Sequence, residues 1–483
     1  MSVRRGIAWM AFSQGSLFVL QFVVSVLIAR ILTPYEMGIF AVAISTVGLL
    51  AIIRSFGLGS FLVRAEEWSS NLVTTVFTIN AVLAFALAAG TVGLSFLGGA
   101  ALGEAGVRQI LMVLAIVPLV TIFDFLPTAG IERRGDFRTV AIINIVRYSV
   151  ANLATLAFAY AGYSYMSLAY GQIISAITAA ILSNLFGRQF VALRIGLSDA
   201  RAVLRFGVQV LTTSGLGSFS GRISDLILAK MLGLSALGLY SRAGSLTGVL
   251  WENLHTIVLR VMFVDFAEQR RLGKSLREPY LHVIRVLLSV LWPMLIGIAV
   301  VSGPLVLLLF GNSWLEAALP LSLLAIATAV AIPIIMAWDV FVVCNETGKQ
   351  VRIEVFRAVM SVGFLAAGCL ISLNAVAALT ILSSFCSFLI YRPHLERMTE
   401  TAWSDYVPIY GQGLLLTTVA VLPAAAAMIV YDWSPEAPLT PLTAGIAAGI
   451  LAWFVMLWAL DHPLYHEVRR MLQQFLSART RGA

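Results

Sequence analysis

Long apolar stretches recur from one end of this chain to the other. Many run for about 20 residues, the length of α-helix that crosses the hydrocarbon core of a bilayer. Hydrophobic residues make up 60% of the 483 positions and charged residues only 12%, too few to coat the several cores that a soluble chain of this length would need. The pattern predicts an all-α polytopic membrane protein, whereas a β-barrel would show short alternating segments.

The apolar stretches divide into about fourteen predicted transmembrane helices, called segments 1 to 14 in chain order. Their bounds are 7–32, 38–63, 72–97, 107–130, 139–162, 165–187, 206–232, 238–263, 280–309, 315–343, 352–373, 375–391, 409–431 and 438–460. The basic and then apolar start resembles a signal peptide, but no convincing small-residue cleavage site follows it. We therefore predict that segment 1 is retained as a helix.

Charge in the loops alternates along the chain. Each loop after an even-numbered segment carries between one and four Lys or Arg residues, whereas the odd-numbered loops, such as "TPYE" and "GLSA", carry none. By the positive-inside rule, the basic loops and both termini are predicted to be cytoplasmic. The net charge of +8 is thereby explained by membrane topology, and no nucleic-acid partner is expected.

An internal repeat links the two halves of the chain. The stretch "VLIARILTPYEMGIF" at 26–40 aligns with "LILAKMLGLSALGLY" at 226–240, and seven of the 24 positions from 27 to 50 are identical 200 residues later. The matches include Gly38 with Gly238. Segment 1 therefore corresponds to segment 7, and each repeat holds six helices. An even number leaves both repeats in one orientation, related by an axis along the membrane normal.

A second correspondence supports the repeat and its domain limits. Pro118 precedes Asp124 by six residues in segment 4, and Pro333 precedes Asp339 by six in segment 10. Two facing six-helix bundles favour a transporter with a central cavity over a receptor or channel. The predicted domains are an N-terminal bundle at 1–200, a C-terminal bundle at 201–400, two additional transmembrane helices at 401–462 and a basic amphipathic cytoplasmic tail at 463–483.

Segments 1, 2, 7 and 8 each place polar or small residues along one helix face. These residues are Gln14, Gln21 and Ser25, then Ala41, Ser45, Gly48, Ile52 and Ser55, then Ser214, Ser218, Arg222 and Asp225, and finally Ser241, Ser245, Gly248, Glu252 and His255. Charged groups within spans cost about 2.5–3.5 kcal/mol each on insertion scales, so they usually face protein or water. We predict that the four faces line one shared pathway; close helix packing is the alternative.

Several charged residues of these helices are candidates for function. Arg222 and Asp225 are predicted to contact substrate or an ion, although at i, i+3 they could instead neutralise each other. Glu252 and His255 have the same spacing and are predicted to couple ions together with Asp225, since both titrate at accessible pH; a structural hydrogen bond is the alternative.

The remaining candidates are expected to bind substrate. Arg54 lies deeper in its segment than the other basic residues, and Gln14 and Gln21 offer polar groups in segment 1. Lys230 lies near the outer end of segment 7, where it is either a substrate ligand or an anchor whose charge reaches the membrane surface.

Catalytic and metal-binding motifs are absent from the sequence. There is no HExxH, no GxSxG and no Walker A motif, so neither an enzyme nor an ATP-driven pump is expected. The three cysteines, Cys344, Cys369 and Cys386, lack metal-ligand spacing and give no support for disulfides or zinc. We expect no cofactor and no metal, and transport driven by the membrane potential or by coupling to Na⁺ or H⁺.

Three stretches resemble one family of membrane transporters. "RILTPYEMGIFAVAISTVGLLAIIRSFGLGSFLVR", "IERRGDFRTVAIINIVRYSVANLATLAFAYAGYSYMSLAYGQI" and "RFGVQVLTTSGLGSFSGRISDLILAKMLGLSALGLYSRA" are similar to bacterial Wzx-type lipid-linked oligosaccharide flippases. These belong to the polysaccharide transporter family of the multidrug/oligosaccharidyl-lipid/polysaccharide exporter (MOP) superfamily. The third stretch includes the family's acidic position, occupied by Asp225, and the "YSRA" that holds Arg242. Arg54 departs from the acidic or neutral residue expected at its position.

The resemblance implies a MATE-like pair of bundles in the bacterial inner membrane that alternates access. Its substrate would be a glycan on an undecaprenyl-pyrophosphate carrier, flipped from the cytoplasmic to the periplasmic leaflet for O-antigen, capsule or exopolysaccharide synthesis. Arg54, Arg222, Lys230 and Arg242 would suit the anionic pyrophosphate. The lipid bilayer is the expected surroundings, a polysaccharide polymerase and export machinery are further candidate partners, and a monomer is expected.

Three other functions remain open from the sequence. A multidrug cation exporter of the same fold would favour carboxylates and aromatic groups in its cavity, whereas basic residues are at least as prominent here. A membrane polysaccharide polymerase would present a large outer loop, and every predicted outer loop is short. A scaffold that does not transport would be separated only by activity.

Overall fold

The computed structural model describes residues 3–54, 57–65, 67–102, 104–190, 194–466 and 469. Within the helices, it describes the backbone but not the side chains of 3–14, 16, 53–54, 60, 97–102, 208–218, 249–261 and 264. Every regular element in these described ranges is a helix. The chain forms two compact units, Met1–Gly238 and Leu239–Ala483.

The first unit contains ten α-helices and the start of an eleventh. They are α1 Val3–Ile31, α2 Pro34–Arg54, α3 Leu58–Arg64, α4 Ser70–Leu102, α5 Ala105–Leu114, α6 Ile116–Val120, α7 Ile122–Arg133, α8 Phe137–Tyr160, α9 Met166–Phe186, α10 Ala200–Leu232 and the first residues of α11 Leu234–Arg271. Within this unit α8 packs on α9 and on α1, and α2 packs on α4, α5 and α10.

The second unit contains the rest of α11 and eight further α-helices. These are α12 Arg277–Val300, α13 Ser302–Phe310, α14 Ala318–Ala331, α15 Ala337–Val343, α16 Thr347–Cys369, α17 Leu373–Thr399, α18 Trp403–Val430 and α19 Leu439–Ala459. Its main core lies where α12, α15 and α17 meet, around Leu288, Phe341 and Tyr391. The unit boundary falls at residue 238 because α10 packs on α2, so the bundle limits proposed at 200 and 400 stay predictions.

All fourteen predicted segments are helical, as an all-α membrane fold requires. Among the described residues, nine helices are long and apolar enough to cross a membrane, and the helix 105–133, bent by 47°, makes a tenth. The other four segments, numbered 1, 7, 8 and 11, coincide with α1, α10, α11 and α16. The sequence prediction of a polytopic helical membrane protein is confirmed.

Several segments predicted as continuous helices are broken. Segment 2 ends as α2 at Arg54 and resumes as α3 after Gly57, whose φ of +63° lies in the left-handed region that glycine adopts without strain. Segment 9 divides into α12 and α13 at Val301, and Pro304 lies inside α13. Hydropathy does not mark the break in segment 9, because Val300 and Val301 are both apolar.

The breaks in segments 4 and 10 fall at matching places in the repeat. Pro118 lies in the short helix α6, and Pro333 lies in a single 3₁₀ turn, Ile332–Ile334. Proline removes a backbone hydrogen-bond donor and disfavours a regular helix at such points. Asp124 and Asp339 then occupy the first turns of α7 and α15. The structure thus repeats a local irregularity together with the residues that cause it.

The last two transmembrane helices pack on α12. The indole Nε1 of Trp453 in α19 donates a hydrogen bond of 2.9 Å to the carbonyl oxygen of Ser289. In α18, a Cβ added at Gly413 would lie 3.2 Å from the ring of Trp292, so glycine lets the two helices approach closely. Helices 18 and 19 also contact each other along their lengths.

Replacing Gly449 by valine is expected to destabilise this helix pair. A Cβ there would lie 1.9 Å from the carbonyl oxygen of Ala420, so the α18 backbone has to move. Overpacking of this kind costs about 1–3 kcal/mol. The measurement is the thermal unfolding midpoint of the purified protein in detergent. Gly411→Val is the matched control in α18, because a Cβ at Gly411 meets nothing within 4 Å; equal midpoints for both variants would contradict the prediction.

Candidate functional site

The polar faces predicted for segments 2 and 7 meet in the structure. Ser45 of α2 is 1% exposed, and its Oγ donates a hydrogen bond of 2.6 Å to Oδ2 of Asp225 in α10. This bond joins positions 180 residues apart in sequence. It constrains the rotation of both helices about their axes, because the two side chains have to face each other to form the bond.

Arg222 lies one helical turn from Asp225 and rests on Gly48 of α2. A Cβ at Gly48 would lie 2.6 Å from Nε of Arg222 and 3.0 Å from its Cδ. Glycine at this position therefore provides the space for the arginine side chain. The result is a cation and an anion, side by side on α10, held against the serine and glycine face of α2.

The starts of α2 and α11 cross at a second pair of glycines. A Cβ at Gly38 would lie 1.9 Å from the carbonyl oxygen of Leu234, and a Cβ at Gly238 would lie 1.9 Å from that of Pro34. Gly38 and Gly238 are equivalent in the repeat, and so are Pro34 and Leu234. The two contacts are therefore the same contact made twice, once in each direction between the two helix starts. This symmetry explains why the repeat keeps a glycine at both places.

The local sequence sets where α2 begins. In "TPYE", the Thr33 backbone N–H donates 2.7 Å to Glu36 Oε2, and the Glu36 N–H donates 3.3 Å to the Thr33 hydroxyl. This reciprocal capping box satisfies two backbone donors that a helix start leaves without partners, and Pro34 suits the first helical position. The Ser164 hydroxyl, between α8 and α9, donates to the other oxygen of Glu36. The helix start is thereby anchored to its own unit.

Lys230 borders a polar pocket beside this crossing. The pocket has a volume of about 440 Å³ and is also lined by Tyr35, Glu104, Gly233 and Ser235. The Lys230 side chain is exposed and lies at the last turn of α10, eight residues beyond Arg222. The two predicted cations of α10 therefore lie roughly two turns, or about 12 Å, apart along the helix.

Arg242 lies in a different environment from the one predicted. It is 6% exposed, and its guanidinium carbon lies 5.2 Å and 5.4 Å from the ring centres of Phe310 and Trp314. Such cation–π contacts in a buried site favour a packing role within the second unit. The substrate-binding role assigned to Arg242 stays a prediction.

Of the other predicted site residues, the structure describes the side chain of Gln21 alone. Gln21 is exposed on α1. The side chains of Gln14, Arg54, Glu252 and His255 lie outside the described residues, so their proposed roles stay predictions. Among the residues that the structure does describe, no group of three or more His, Cys, Asp or Glu side chains is arranged to hold a metal ion.

Sequence reasoning passed over Asn80, which lies in α4. This residue is 2% exposed and lines a second pocket of the first unit. The only signal in the sequence is one amide within the apolar stretch "TVFTINAVLAF". A single polar residue of this kind is most often a packing or hydrogen-bonding element between helices.

The fold is that of known membrane transporters. A structure of the lipid II flippase MurJ in an inward closed conformation matches with a TM-score of 0.72 at 11% identity, covering 94% of this chain and 99% of that one. An inward-facing multidrug resistance MATE family transporter of the MOP superfamily matches with a TM-score of 0.62 at 15% identity, covering 80% of this chain and 96% of that one. The arrangement of helices is therefore the MOP superfamily fold.

The sequence also defines a family within that fold. The chain belongs to the polysaccharide biosynthesis protein family, whose profile matches residues 27–319. The succinoglycan biosynthesis transport protein ExoT of Rhizobium meliloti (strain 1021) is 26% identical over 334 residues, 69% of this chain and 67% of that protein. The lipopolysaccharide biosynthesis protein WzxC of Escherichia coli (strain K12) is 24% identical over 311 residues, 64% of this chain and 63% of that protein. The matches span about two thirds of these relatives.

Proposed function

We propose that this protein is a flippase that moves undecaprenyl-pyrophosphate-linked oligosaccharide units from the cytoplasmic to the periplasmic leaflet. The observation that carries the proposal is the family match over residues 27–319. One relative is named for succinoglycan transport and another for lipopolysaccharide biosynthesis, and the solved neighbour is a lipid II flippase. These names describe transport and polysaccharide biosynthesis. They fit a transporter that supplies lipid-linked units for the synthesis of O-antigen, capsule or exopolysaccharide.

The charges on α10 supply the chemistry for an anionic carrier lipid. Arg222 lies on α10, which coincides with predicted segment 7, and a charged residue within a membrane-spanning segment suggests a binding or transport role. Its planar fork of donors suits phosphate oxygens, and Lys230 adds a second cation near the end of the same helix. Gln21, which is exposed on α1, provides hydrogen bonds of the kind that sugar hydroxyls form.

The membrane potential provides a driving force for such a substrate. With the inside negative, outward movement of an anion is favoured by about 2.3 kcal/mol per charge per 100 mV. Two charges moved across the whole field would contribute roughly 4–5 kcal/mol. Asp225, held by Ser45 at 2.6 Å, is the described residue placed to couple an H⁺ or Na⁺ to this movement. Glu252 and His255 remain further candidates for the same role.

Topology and surroundings follow from the same proposal. The basic loops place both termini in the cytoplasm, and an undecaprenyl carrier places the protein in the bacterial inner membrane. We propose that it works as a monomer and delivers its product to a polysaccharide polymerase and export machinery. The two predicted bundles at 1–200 and 201–400 would alternate access between the leaflets.

Flipping in proteoliposomes tests the function directly. The purified full chain is reconstituted with a fluorescent undecaprenyl-pyrophosphate oligosaccharide, and the label that crosses the bilayer is quantified with and without an imposed potential. We expect flipping that becomes faster when the potential favours movement of the anion. A folded protein that leaves the lipid in place and exports an organic cation instead would support the multidrug alternative.

A further inference from the structure

A second pocket of the first unit lies between α3, α4 and α7. It has a volume of about 590 Å³, and its lining includes Gly59, Arg64, Asn80, Phe125 and Glu132. The pocket is in the part of the unit that carries the basic loops, since Arg64 ends α3 and Glu132 lies at the last turn of α7. In the proposed topology, this is the side from which a carrier lipid enters.

Asn80 gives the pocket an unsatisfied hydrogen-bond donor. The residue is 2% exposed, and its Nδ2 has no hydrogen-bond partner among the described residues. A buried donor without a partner costs free energy, and native structures rarely keep one without a reason. A ligand oxygen in the pocket would satisfy it.

A buried apolar cluster lies behind the pocket. Leu58 and Leu62 of α3 pack against Val76 of α4 in a buried cluster that Phe125 also contacts. Arg133 reinforces this cluster, because its Nη1 donates 3.3 Å to the Leu62 carbonyl oxygen. An apolar wall with a few polar groups is the usual form of a small-molecule site.

The polar groups around the pocket demand a ligand that both donates and accepts hydrogen bonds. The Asn80 amide N–H and the Arg64 guanidinium donate, whereas the Glu132 carboxylate accepts. Sugar hydroxyls do both. A phosphate group only accepts, so it would leave the Glu132 carboxylate without a donor. The apolar face of a sugar ring is also compatible with Phe125.

We propose that this pocket binds a sugar ring of the lipid-linked glycan before the glycan moves across the membrane. The inference rests on the proposed flippase function and adds a site that recognises the sugar, separate from the cations of α10 that suit the pyrophosphate. Asn80 and Glu132 would make the polar contacts, and Gly59 keeps the volume open, because a Cβ there meets nothing within 4 Å.

Binding measurements on two kinds of soluble lipid, one without a sugar and one with a single sugar, test the site. The full chain in lipid nanodiscs is titrated with farnesyl pyrophosphate and with farnesyl pyrophosphate carrying one glucose, galactose or N-acetylglucosamine. Asn80→Leu, which removes the amide, and Gly59→Val, which fills the pocket, are each expected to weaken binding of the best sugar-bearing lipid by about five- to tenfold. Binding of the sugar-free lipid is expected to stay within about twofold, because the pyrophosphate contacts lie elsewhere.

Two matched variants and a stability measurement separate binding from folding. Thr91→Val changes a buried polar residue of the same helix whose hydroxyl is already bonded at 2.8 Å to the Leu87 carbonyl oxygen. Gly93→Val adds the same side chain as Gly59→Val at an exposed site with nothing within 4 Å. Both controls are expected to bind like wild type, and thermal unfolding confirms that every variant is folded.

The outcomes distinguish this site from the function as a whole. Selective loss of the sugar-bearing lipid in both pocket variants supports the site. Wild-type binding of that lipid with no effect of Asn80→Leu or Gly59→Val overturns the site and leaves the flippase proposal standing. Equal loss of both lipids in folded pocket variants also overturns it. A wild type that binds neither lipid overturns the site and the proposed function together.

Discussion

Replacing Gly238 by valine is expected to separate the starts of α2 and α11 and to slow flipping by about tenfold or more. The Cβ would overlap the Pro34 carbonyl oxygen at 1.9 Å, and a backbone atom cannot move aside as the end of a flexible side chain can. In the proposed topology these helix starts lie at the outer surface. Valine would therefore disfavour the state in which this end is closed and leave the carrier unable to complete its cycle.

Spin labels at positions 35 and 235 measure this opening. Tyr35 and Ser235 are exposed, lie next to the crossing and are equivalent in the repeat, so labels there report the separation of the two helix starts. The three native cysteines are first replaced by serine. The inter-label distance is expected to lengthen in Gly238→Val and in Gly38→Val. Gly244→Val is the matched control in α11, because a Cβ at that position meets nothing within 4 Å.

The same distance in all these variants, with unchanged flipping rates, would show that the crossing does not control access. A longer distance with normal flipping would separate the two claims, since opening would be confirmed and its importance for transport refuted. Both outcomes concern the Gly38 and Gly238 contacts, in which each glycine lies against a backbone carbonyl oxygen of the other helix.

Arg222→Ala is expected to reduce potential-driven flipping by about tenfold or more, the second large effect. Charge-assisted hydrogen bonds to a phosphate contribute about 1.5–3 kcal/mol each, and the corresponding loss of rate is roughly ten- to a hundredfold. Arg222→Lys keeps the charge but loses the planar fork of donors, so an intermediate rate is expected. Flipping rates in the proteoliposome assay, at fixed potential, make the comparison.

Two further variants show whether the position of the guanidinium matters. Gly48→Leu leaves the charge in place but forces it off α2, because even a Cβ would lie 2.6 Å from Nε, and we expect a loss close to that of Arg222→Ala. Arg277→Ala is the matched arginine control. It breaks a solvent-exposed pair with Asp405, 2.8 Å long and remote in sequence from α10, and should leave the rate nearly unchanged. Normal flipping by Arg222→Ala would reject this arginine as a required ligand.

The positions of the helices could be predicted because bilayer thickness fixes their length and apolar character. Helix interruptions were harder to place. Pro118 and Pro333 lie at the breaks in segments 4 and 10, but Gly57 breaks segment 2 through a left-handed backbone conformation that hydropathy does not record. The repeat marked Gly38 and Gly238 as equivalent, and only the fold showed that each contacts the other helix.

The candidate site was predictable where helical spacing alone decides which residues share a face. The polar faces of Ser45 and Asp225 were identified in this way, and the structure joins them. The environment of Arg242 could not be predicted in this way, because it is set by the rings of Phe310 and Trp314, about 70 residues away in sequence. Asn80 was missed for a similar reason, since a lone amide gains meaning only from the pocket around it.

The contacts of Gly38 with Leu234 and of Gly238 with Pro34 have the form of an isologous interface, in which two copies of one surface exchange the same pair of contacts. In a dimer of two identical six-helix chains, one glycine position would form both of these contacts. Two such chains joined end to end would keep both contacts while the residues around each glycine changed, as PYEM and LSAL have. The paired contacts of Gly38 and Gly238 therefore give a single chain the local geometry of a symmetric dimer interface.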